Sequence, residues 1–299
     1  MTALLPVFGL IVLGAVLARI GPLSDDGWRA IEQITYWLLL PALLVLKLGG
    51  TDLSGYSIGP MVVAMSGAIL IVAALLLAIR RLTGIAGPAY TSVIQGAIRQ
   101  NTYIGVGSVG ALYGQSGEAL AAVGIAAVIP LVNTLSIWVL TRMAGRETVS
   151  GLKLLWAILT NPIFVACALG IALNATGIGI HPILAEGLDK LAGAALALGL
   201  LAVGAGLRFG VLKTGWPALL LSNAVKLVGL PLLTIALAAP LGVTGTALAV
   251  AVLFNALPSS ASAYVFARQL GGDHELMAAI LTTQVIMAAI TLPTMLAMV

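Results

Sequence analysis

The sequence contains very little charge. Of its 299 residues, 14 are Lys or Arg and 10 are Asp or Glu, or 8% of the chain, whereas soluble domains carry about 25%. Hydrophobic residues make up 61% of the chain, and the mean hydropathy is +1.14. These values exclude a soluble globular domain and a disordered chain. Long apolar runs recur from one end to the other and predict a protein embedded in a lipid bilayer.

Other absences remove further classes of protein. The single cysteine, Cys167, excludes an internal disulfide, a CxxC redox motif and a thiolate metal cluster. Basic residues form no patch and aromatic residues are only 5% of the chain, so we expect no nucleic-acid partner. The chain has no HExxH or GxSxG motif and no deep pair of Asp residues, and both histidines fall between apolar runs. We therefore predict neither an enzyme nor a cofactor or metal site.

The apolar runs divide into ten segments of membrane-spanning length, separated by charged, Gly-rich or Pro-rich stretches. The predicted spans are residues 3–20, 28–48, 57–82, 88–113, 118–140, 153–174, 183–207, 215–239, 245–269 and 275–297. The joining loops are short, so we predict one transmembrane domain over residues 1–299. The first 20 residues lack the basic start of a signal peptide and are interpreted as a retained span.

The basic residues in the loops and near the ends of the spans are distributed unequally between the two sides of the membrane. One side receives only Lys47 and Lys190. The other side receives ten cations: Arg19, Arg29, Arg80, Arg81, Arg142, Arg146, Lys153, Arg208, Lys213 and Arg268. Because cytoplasmic loops are enriched in Lys and Arg, this side is predicted to be cytoplasmic. Both termini then lie on the extracytoplasmic side of the cell (inner) membrane.

Two halves of the chain share a pattern. Asn101 in span four matches Asn255 in span nine, and Glu118 at the start of span five matches Glu275 at the start of span ten. Five residues of the first span recur in the sixth at one common offset: Pro6, Phe8, Gly14, Leu17 and Gly21 match Pro162, Phe164, Gly170, Leu173 and Gly177. The chain therefore divides into two halves of five spans each, residues 1–145 and 150–299. Because five is an odd number, the second half enters the membrane from the opposite side, and the two halves form an inverted repeat, which is typical of secondary transporters. The alternative is a likeness of composition between Gly-rich and Leu-rich helices.

Spans four and nine each carry a polar, helix-weakening stretch near the middle. Span four has the polar run 99–102 followed by three glycines, at 105, 107 and 110, and span nine has Asn255 and Pro258 followed by serines. Pro and Gly both disfavour helix, and unwound backbone is tolerated in a membrane only where it is buried in protein or lines a cavity. Broken spans at equivalent positions predict a binding site near the bilayer midplane. The candidate site residues are Arg99, Gln100, Asn101, Thr102, Asn133, Lys226, Asn255, Pro258, Ser259 and Ser260.

Two cations lie deep within predicted spans, and no acid lies comparably deep. Arg99 falls in span four and Lys226 in span eight, and a buried cation costs about 2.5–3.5 kcal/mol on insertion scales. Each therefore needs a partner, and a small organic anion would serve. The alternatives are that Arg99 binds carbonyl groups at the break, and that Lys226 either snorkels to the interface or substitutes for a bound cation.

The neutral polar residues also have two interpretations. Asn101 and Asn255 either cap the helix breaks alone or cap them and contact a ligand. Asn133, Tyr36, Pro41 and Pro130 line the cavity or, more commonly for such residues, make helix–helix contacts.

These features together resemble the auxin efflux carrier family, which includes plant auxin carriers and bacterial permeases for malonate or malate. The resemblance covers nearly the whole chain. It is carried by the ten spans, the Pro-Ala-Leu-Leu run at 41–44, Arg99-x-Asn101, the short basic loop after span five, Asn255-x-x-Pro258, and the closing Glu275, Gln284 and Pro293.

The resemblance implies an all-α membrane fold like that of bile acid symporters and sodium/proton antiporters, with broken helices four and nine crossing. It further implies an elevator-type cycle and a role for Asn101, Asn255 and Pro258 in substrate binding. We predict a secondary active or facilitative transporter for a small organic anion, such as malonate, malate or an auxin-like acid. The alternative is a sodium- or proton-coupled carrier of another solute with Lys226 as ion surrogate. The expected partners are the organic anion and the lipid bilayer, and a homodimer is left open.

Overall fold

The computed structural model describes residues 2–51, 55–144, 151–209 and 215–299. Arg146 and Lys213, two of the predicted cytoplasmic cations, lie outside these residues, as does the side chain of Lys153. The described chain is helical and contains no strand. Its α-helices are α1 Leu5–Ile20, α2 Asp25–Ile34, α3 Leu40–Gly50, α4 Ile58–Thr83, α5 Gly87–Ile98, α6 Thr102–Met143, α7 Gly151–Leu159, α8 Pro162–Ala175, α9 Pro182–Ala205, α10 Trp216–Ala224, α11 Leu230–Ala238, α12 Gly245–Ala256, α13 Ser262–Leu270 and α14 His274–Leu296.

Many of these helices suit a bilayer. Within the described residues, seven helical stretches are long and apolar enough to cross a membrane by length and composition, and α8 and α12 are shorter apolar helices. Large hydrophobic side chains face outward along several of them, for example Trp37, Leu75 and Ile290. Because lipid covers apolar side chains at no cost, this surface is that of a membrane protein. The predicted all-α membrane class is confirmed.

Two spans contain a π-helical turn, and a proline explains each one. Residues Thr35–Leu39 join α2 to α3, and Val225–Gly229 join α10 to α11. Pro41 and Pro231 stand two residues after these turns. A proline has no N–H to donate and its ring clashes with the carbonyl four residues back, which here belongs to the π turn. The wider turn relieves that clash without ending the helix.

Span four breaks at a different place from the one that its glycines suggest. The helix is interrupted at residues 99–101, whereas Gly105, Gly107 and Gly110 are all helical parts of α6. Gly107 faces the side chains of Leu200 and Val7 at 3.5 and 3.7 Å from an added Cβ, so it serves close packing. The prediction that these glycines take part in the break is therefore wrong.

The predicted sixth span, 153–174, is also broken. Helix α7 ends at Leu159 and α8 begins at Pro162. Asn161 caps α8, and its Oδ1 accepts hydrogen bonds from the backbone N–H groups of Ile163 (3.0 Å) and Phe164 (3.3 Å). An Asn-Pro pair is a strong start signal for a helix, and a continuous apolar span was the wrong prediction here.

The chain divides into two compact units, and the first comprises Met1–Tyr56, Thr102–Ala126 and Leu155–Leu207. Its α1 and α9 pack backbone to backbone through glycine. A Cβ placed on Gly14 would overlap the carbonyl oxygen of Leu201, and a Cβ on Gly204 would overlap that of Ile11. Small residues permit such an approach, and the close packing that results favours helix association in lipid.

An ion pair in the same unit lies just after a sharp bend in α6. Gly114 has non-helical angles (φ 60°, ψ −151°), which only glycine adopts readily. After the bend, Glu118 lies over Gly110 and pairs with Lys47 of α3 at 2.7 Å. Both side chains are largely buried, 19% exposed for Lys47 and 13% for Glu118. The ion pair thus joins the part of α6 after the bend to α3.

The second unit comprises Ser57–Asn101, Ala127–Leu154 and Arg208–Val299. Helices α5, α10, α13 and α14 share a hydrophobic core, formed by Val93, Ala218, Leu219, Ala263, Ala267, Leu276, Met277, Ala279 and Ile280. Gly96 lets α5 approach so closely that a Cβ there would overlap Ser222 of α10 and crowd Ile280 of α14. This unit holds residues 99–101 of the span-four break and the whole of the span-nine break.

The glycine contact between α1 and α9 can be tested by one methyl group. We expect Gly204→Ala to cost about 1–3 kcal/mol, because the methyl meets backbone that cannot move aside. Gly193→Ala, in the same helix with open space around it, is the matched control and should be neutral or stabilising by up to about 1 kcal/mol. Thermal unfolding of the purified variants in detergent measures both, and equal melting temperatures would contradict the packing.

Candidate functional site

The candidate site is formed where the two broken helices meet. Helix α5 ends at Ile98, and Arg99 is extended (φ −83°, ψ 152°); helix α12 ends at Ala256, and Leu257 is extended (φ −63°, ψ 150°). Leu257 must leave the helical region because Pro258 follows it. Helices resume at Thr102 and at Ser262.

The two breaks bind each other directly. The backbone N–H of Asn101 donates to the carbonyl oxygen of Pro258 at 2.8 Å. Beside this bond, the side-chain Nε2 of Gln100 donates to Oδ1 of Asn255 at 3.1 Å. All four residues are buried. The structure thus brings Gln100, Asn101, Asn255 and Pro258 together, as the sequence predicts.

Asn255 is held on every side by protein. Its Nδ2 donates to the carbonyl oxygen of Met65 at 3.2 Å and to Oγ1 of Thr234 at 2.7 Å, and its Oδ1 accepts from Gln100. The side chain is 0% exposed. Since an amide nitrogen has two hydrogens to donate, both donors are in use. This geometry favours the capping interpretation of Asn255, in which its side chain stabilises the place where the two helix breaks meet, called the crossing below.

Gln284 of α14 joins the same network, although it is not among the predicted site residues. Its Oε1 accepts from the backbone N–H of Ser259 at 2.8 Å, and its Nε2 donates to the carbonyl oxygen of Gly96 at 3.0 Å. One amide therefore bonds the end of α5 and the span-nine break. Gln284 entered the sequence analysis only as part of the closing motif, and Thr234 was detectable only as an isolated polar residue in an apolar span, a signal that many structural residues share.

Arg99 connects three elements at the edge of the crossing. Its Nη1 donates to Oγ of Ser136 at 3.1 Å, and its Nη2 donates to Oγ of Ser262 at 2.8 Å. The guanidinium carbon lies 4.6 Å from the centre of the Phe266 ring, close enough for a cation–π interaction. Arg99 is only 4% exposed. Hydroxyl groups and a ring face thus hold this cation at the first turn of α13.

The more accessible polar groups lie next to Arg99. Ser260 and Ser262 are half-buried, and their hydroxyl oxygens are 2.8 Å apart. Asn133, also half-buried, stands one turn before Ser136, and its buried Oδ1 has no hydrogen-bond partner among the described residues. Thr102, by contrast, is the first residue of α6 and belongs to the other unit. We call the set Arg99, Asn133, Ser136, Ser260 and Ser262 the arginine cluster.

Lys226 is enclosed completely. It lies in the π turn of Val225–Gly229, is 0% exposed, and its Nζ has no hydrogen-bond partner within the described part of the chain. The snorkelling alternative is therefore wrong, because the side chain reaches neither water nor lipid. The π turn packs against α5, α12 and α14.

The π turn also determines which way Lys226 faces. In a regular helix, Ser222 and Thr234 would point about 120° apart, but a π turn holds one extra residue and reduces the difference to about 20°. Ser222, Lys226 and Thr234 accordingly follow one fully buried face. Ser222 contacts α5 at Val93 and Gly96, and Oγ1 of Thr234 accepts from Asn255 in the last turn of α12. Lys226 lies between those two contacts.

Two comparisons with known proteins bear on this arrangement. A family model described as "Membrane transport protein" matches residues 145–296. An uncharacterized transporter of Methanothermobacter thermautotrophicus strain Delta H is 24% identical over 295 residues, which cover 97% of this chain and 95% of that protein. The similarity to that relative extends over both halves of the chain.

The bracing of Asn255 makes a specific prediction for Thr234. Thr234→Val removes the hydroxyl oxygen that accepts from Asn255 and leaves a buried N–H unpaired, which should cost about 1–3 kcal/mol. Thr234→Ser keeps the oxygen and should retain most of the stability. Thr294→Val is the control, since Thr294 is exposed and bonds only its own helix. If thermal unfolding finds Thr234→Val as stable as Thr294→Val, the bracing role is refuted.

Proposed function

The chain belongs to the membrane transport protein family that includes the auxin efflux carriers, and from this premise we propose that it carries a small organic anion across the membrane. A carboxylate is the best match, of the kind of malonate, malate or an auxin-like acid. The carrier works by alternating access, as a secondary active or facilitative transporter. Its place is the cell inner membrane, with both termini on the extracytoplasmic side.

The arginine cluster is the observation that carries the proposal. A guanidinium binds a carboxylate through two parallel hydrogen bonds, and serine and asparagine side chains add single ones. The cluster stands where two broken helices cross, and the sequence has no Asp or Glu at residues 53–117 or 190–272. An anion that enters beside Ser260 and Ser262 would thus meet a positive group and hydroxyl donors. Because Arg99 is already held by hydroxyls, it is oriented before the ligand arrives.

Ten membrane spans account for the helices. They are α1, α2 with α3, α4, α5 with the start of α6, the rest of α6 after Gly114, α7 with α8, α9, α10 with α11, α12 with α13, and α14. With ten spans, the basic residues retain the one-sided distribution that positive-inside topology requires.

An inverted repeat of the halves 1–145 and 150–299 fits the same helices. Pro6 and Pro162 both stand in the first turn of α1 and α8. Breaks follow α5 and α12, with an asparagine at each, Asn101 and Asn255. Matching interruptions in two halves are the usual sign of a midplane site in secondary transporters.

The division of the chain into two units supports an elevator-type cycle. The second unit contains the arginine cluster, both sides of the amide network and Lys226, so it would carry the substrate. The first unit, with its glycine-packed α1 and α9, would be the scaffold. Within the carrying unit, Gln100, Asn101, Asn255, Pro258 and Ser259 hold the crossing, and Thr102 begins the half-helix that leads away from it.

Transport by proteoliposomes tests this proposal. We expect purified protein to take up a labelled carboxylate, and Arg99→Gln to lower kcat/KM by about ten- to hundredfold, the effect of losing a hydrogen bond to a charged group. Arg268→Gln is the matched control, because Arg268 is an exposed arginine at the end of α13, and its uptake should equal that of the wild type.

Two further variants separate bracing from contact. Asn101→Ala and Asn255→Ala should reduce uptake by disturbing the crossing, and size-exclusion profiles report whether each variant is folded. Uptake that is unchanged in Arg99→Gln and in both asparagine variants would show that the substrate does not bind at this crossing. If the wild type takes up none of the carboxylates, the proposed substrate class is wrong.

A further inference from the structure

We propose that Ser260 is the residue that contacts the anion in the arginine cluster, and that Arg99 acts on the anion through a chain of two serine hydroxyls. In this chain Arg99 donates to Ser262, Ser262 donates to Ser260, and the hydrogen of the Ser260 hydroxyl is left for a ligand oxygen. The identity of the ligand rests on the proposed function, whereas the chain itself lies within the second unit. Ser260 is thus the contact residue, and Arg99 is a positioning residue.

The guanidinium of Arg99 is much less accessible than the serines. Arg99 is 4% exposed, and the ring of Phe266 lies against one face of the guanidinium, with its centre 4.6 Å from the guanidinium carbon. Ser260 and Ser262 are both half-buried. The groups of this cluster that a ligand reaches most easily are therefore the serine hydroxyls.

The two arms of the guanidinium end differently. Nη1 donates to Oγ of Ser136 at 3.1 Å, and that hydroxyl donates its one hydrogen to the carbonyl oxygen of Val132 at 2.6 Å. This arm ends at the carbonyl and leaves no serine hydrogen for a ligand. Nη2 donates to Oγ of Ser262 at 2.8 Å, and that oxygen lies 2.8 Å from Oγ of Ser260. The second arm therefore continues to another hydroxyl.

The charge of Arg99 sets the direction of the hydrogen bond between the two serines. Either hydroxyl can donate to the other, and in each case one hydrogen of the pair is left over. When Ser262 donates to Ser260, both O–H dipoles point away from the guanidinium, which is the arrangement of lower electrostatic energy. Ser260 also accepts from the backbone N–H of Ser262 at 3.3 Å, which favours the same direction. The hydrogen that is left over therefore belongs to Ser260.

The Ser260 hydroxyl is a suitable donor for a carboxylate. Its hydrogen-bond partners all belong to Ser262, as far as the described residues are concerned. A hydroxyl at the end of a chain that begins at a cation donates more strongly than an isolated serine, because each hydrogen bond polarises the next one. A carboxylate oxygen is the kind of acceptor that such a donor binds best. The chain thus extends the influence of the buried charge to a half-buried group.

Ser136 and Ser262 provide a matched pair of variants. Each alanine removes one hydroxyl that accepts from Arg99, so a purely structural role predicts the same loss of uptake from Ser136→Ala and Ser262→Ala. We expect Ser262→Ala to lower kcat/KM for carboxylate uptake about tenfold, mainly through KM, and Ser136→Ala to lower it less than about twofold. Melting temperatures without ligand report the structural cost of each change. Equal losses of uptake in the two variants would contradict the chain.

Ser260 is tested by removing and by keeping its hydroxyl. Ser260→Ala should lower kcat/KM about tenfold, and Ser260→Thr, which keeps the oxygen and its hydrogen, should retain most of the uptake. Ser116→Ala is the control, because Ser116 is a half-buried serine of the first unit whose hydroxyl donates to the carbonyl oxygen of Tyr113 at 3.4 Å. If Ser260→Ala does not fold, Ser260→Cys, with a similar size and a weak S–H donor, replaces it.

The double variant distinguishes a chain from two separate contacts. If Arg99 acts through Ser260, Arg99→Gln combined with Ser260→Ala should have the same kcat/KM as the poorer of the two single variants, within about twofold. Direct contact of both side chains with the carboxylate predicts instead that the two losses multiply. Multiplied losses would therefore overturn the inference.

Binding without transport is the last measurement. Formate, acetate and malonate, each as its choline salt, are compared with choline chloride at equal ionic strength. At least one of these anions should raise the Tm of the full-length wild type by about 3 °C and leave that of Ser260→Ala unchanged. A protein that binds the anion without carrying it would refute the proposed function and retain the role of Ser260. No response of the wild type to any of the three, or an equal response of Ser260→Ala, would refute that role.

Discussion

Interrupting a helix inside a bilayer leaves backbone groups that water cannot reach, and in this protein each interruption satisfies the other. The N–H of Asn101 donates to the carbonyl of Pro258, and Gln284 bonds the N–H of Ser259 and the carbonyl of Gly96. Unpaired, each such group would cost several kcal/mol in lipid. Loss of one of these hydrogen bonds therefore leaves its partner group unpaired as well. The hydrogen bonds from Asn255 to Thr234 and Met65 belong to the same network.

That constraint also creates the electrostatics of the second unit. Breaking a helix exposes two half-charges, a positive one where the helix resumes and a negative one where it stops. The two buried cations of this unit, Arg99 and Lys226, have different surroundings. Arg99 donates to the hydroxyls of Ser136 and Ser262 beside half-buried serines, whereas Lys226 is completely buried and its Nζ has no hydrogen-bond partner among the described residues.

Much of this could be predicted from sequence, because lipid imposes simple rules. The all-α membrane class followed from composition, and the break in span nine followed from Pro258. The amides of 100–101 and 255 were grouped correctly because they interrupt apolar runs. The break after α7 was missed, since Asn161 and Pro162 lie in an otherwise apolar stretch. The glycines of α6 misled because glycine both weakens helices and packs them, and only the neighbours decide which. The roles of Thr234, Gln284 and the π turn depend on distant contacts that no local pattern encodes.

The central claim is that this crossing binds an organic anion. The most direct measurement is thermal unfolding of the wild-type chain with mono- and dicarboxylates and indole acids, each supplied as its sodium and its choline salt. A ligand that binds the folded state raises the Tm as its concentration rises. The account predicts that at least one carboxylate does so. A Tm raised by sodium chloride alone, with no response to any carboxylate, would contradict it.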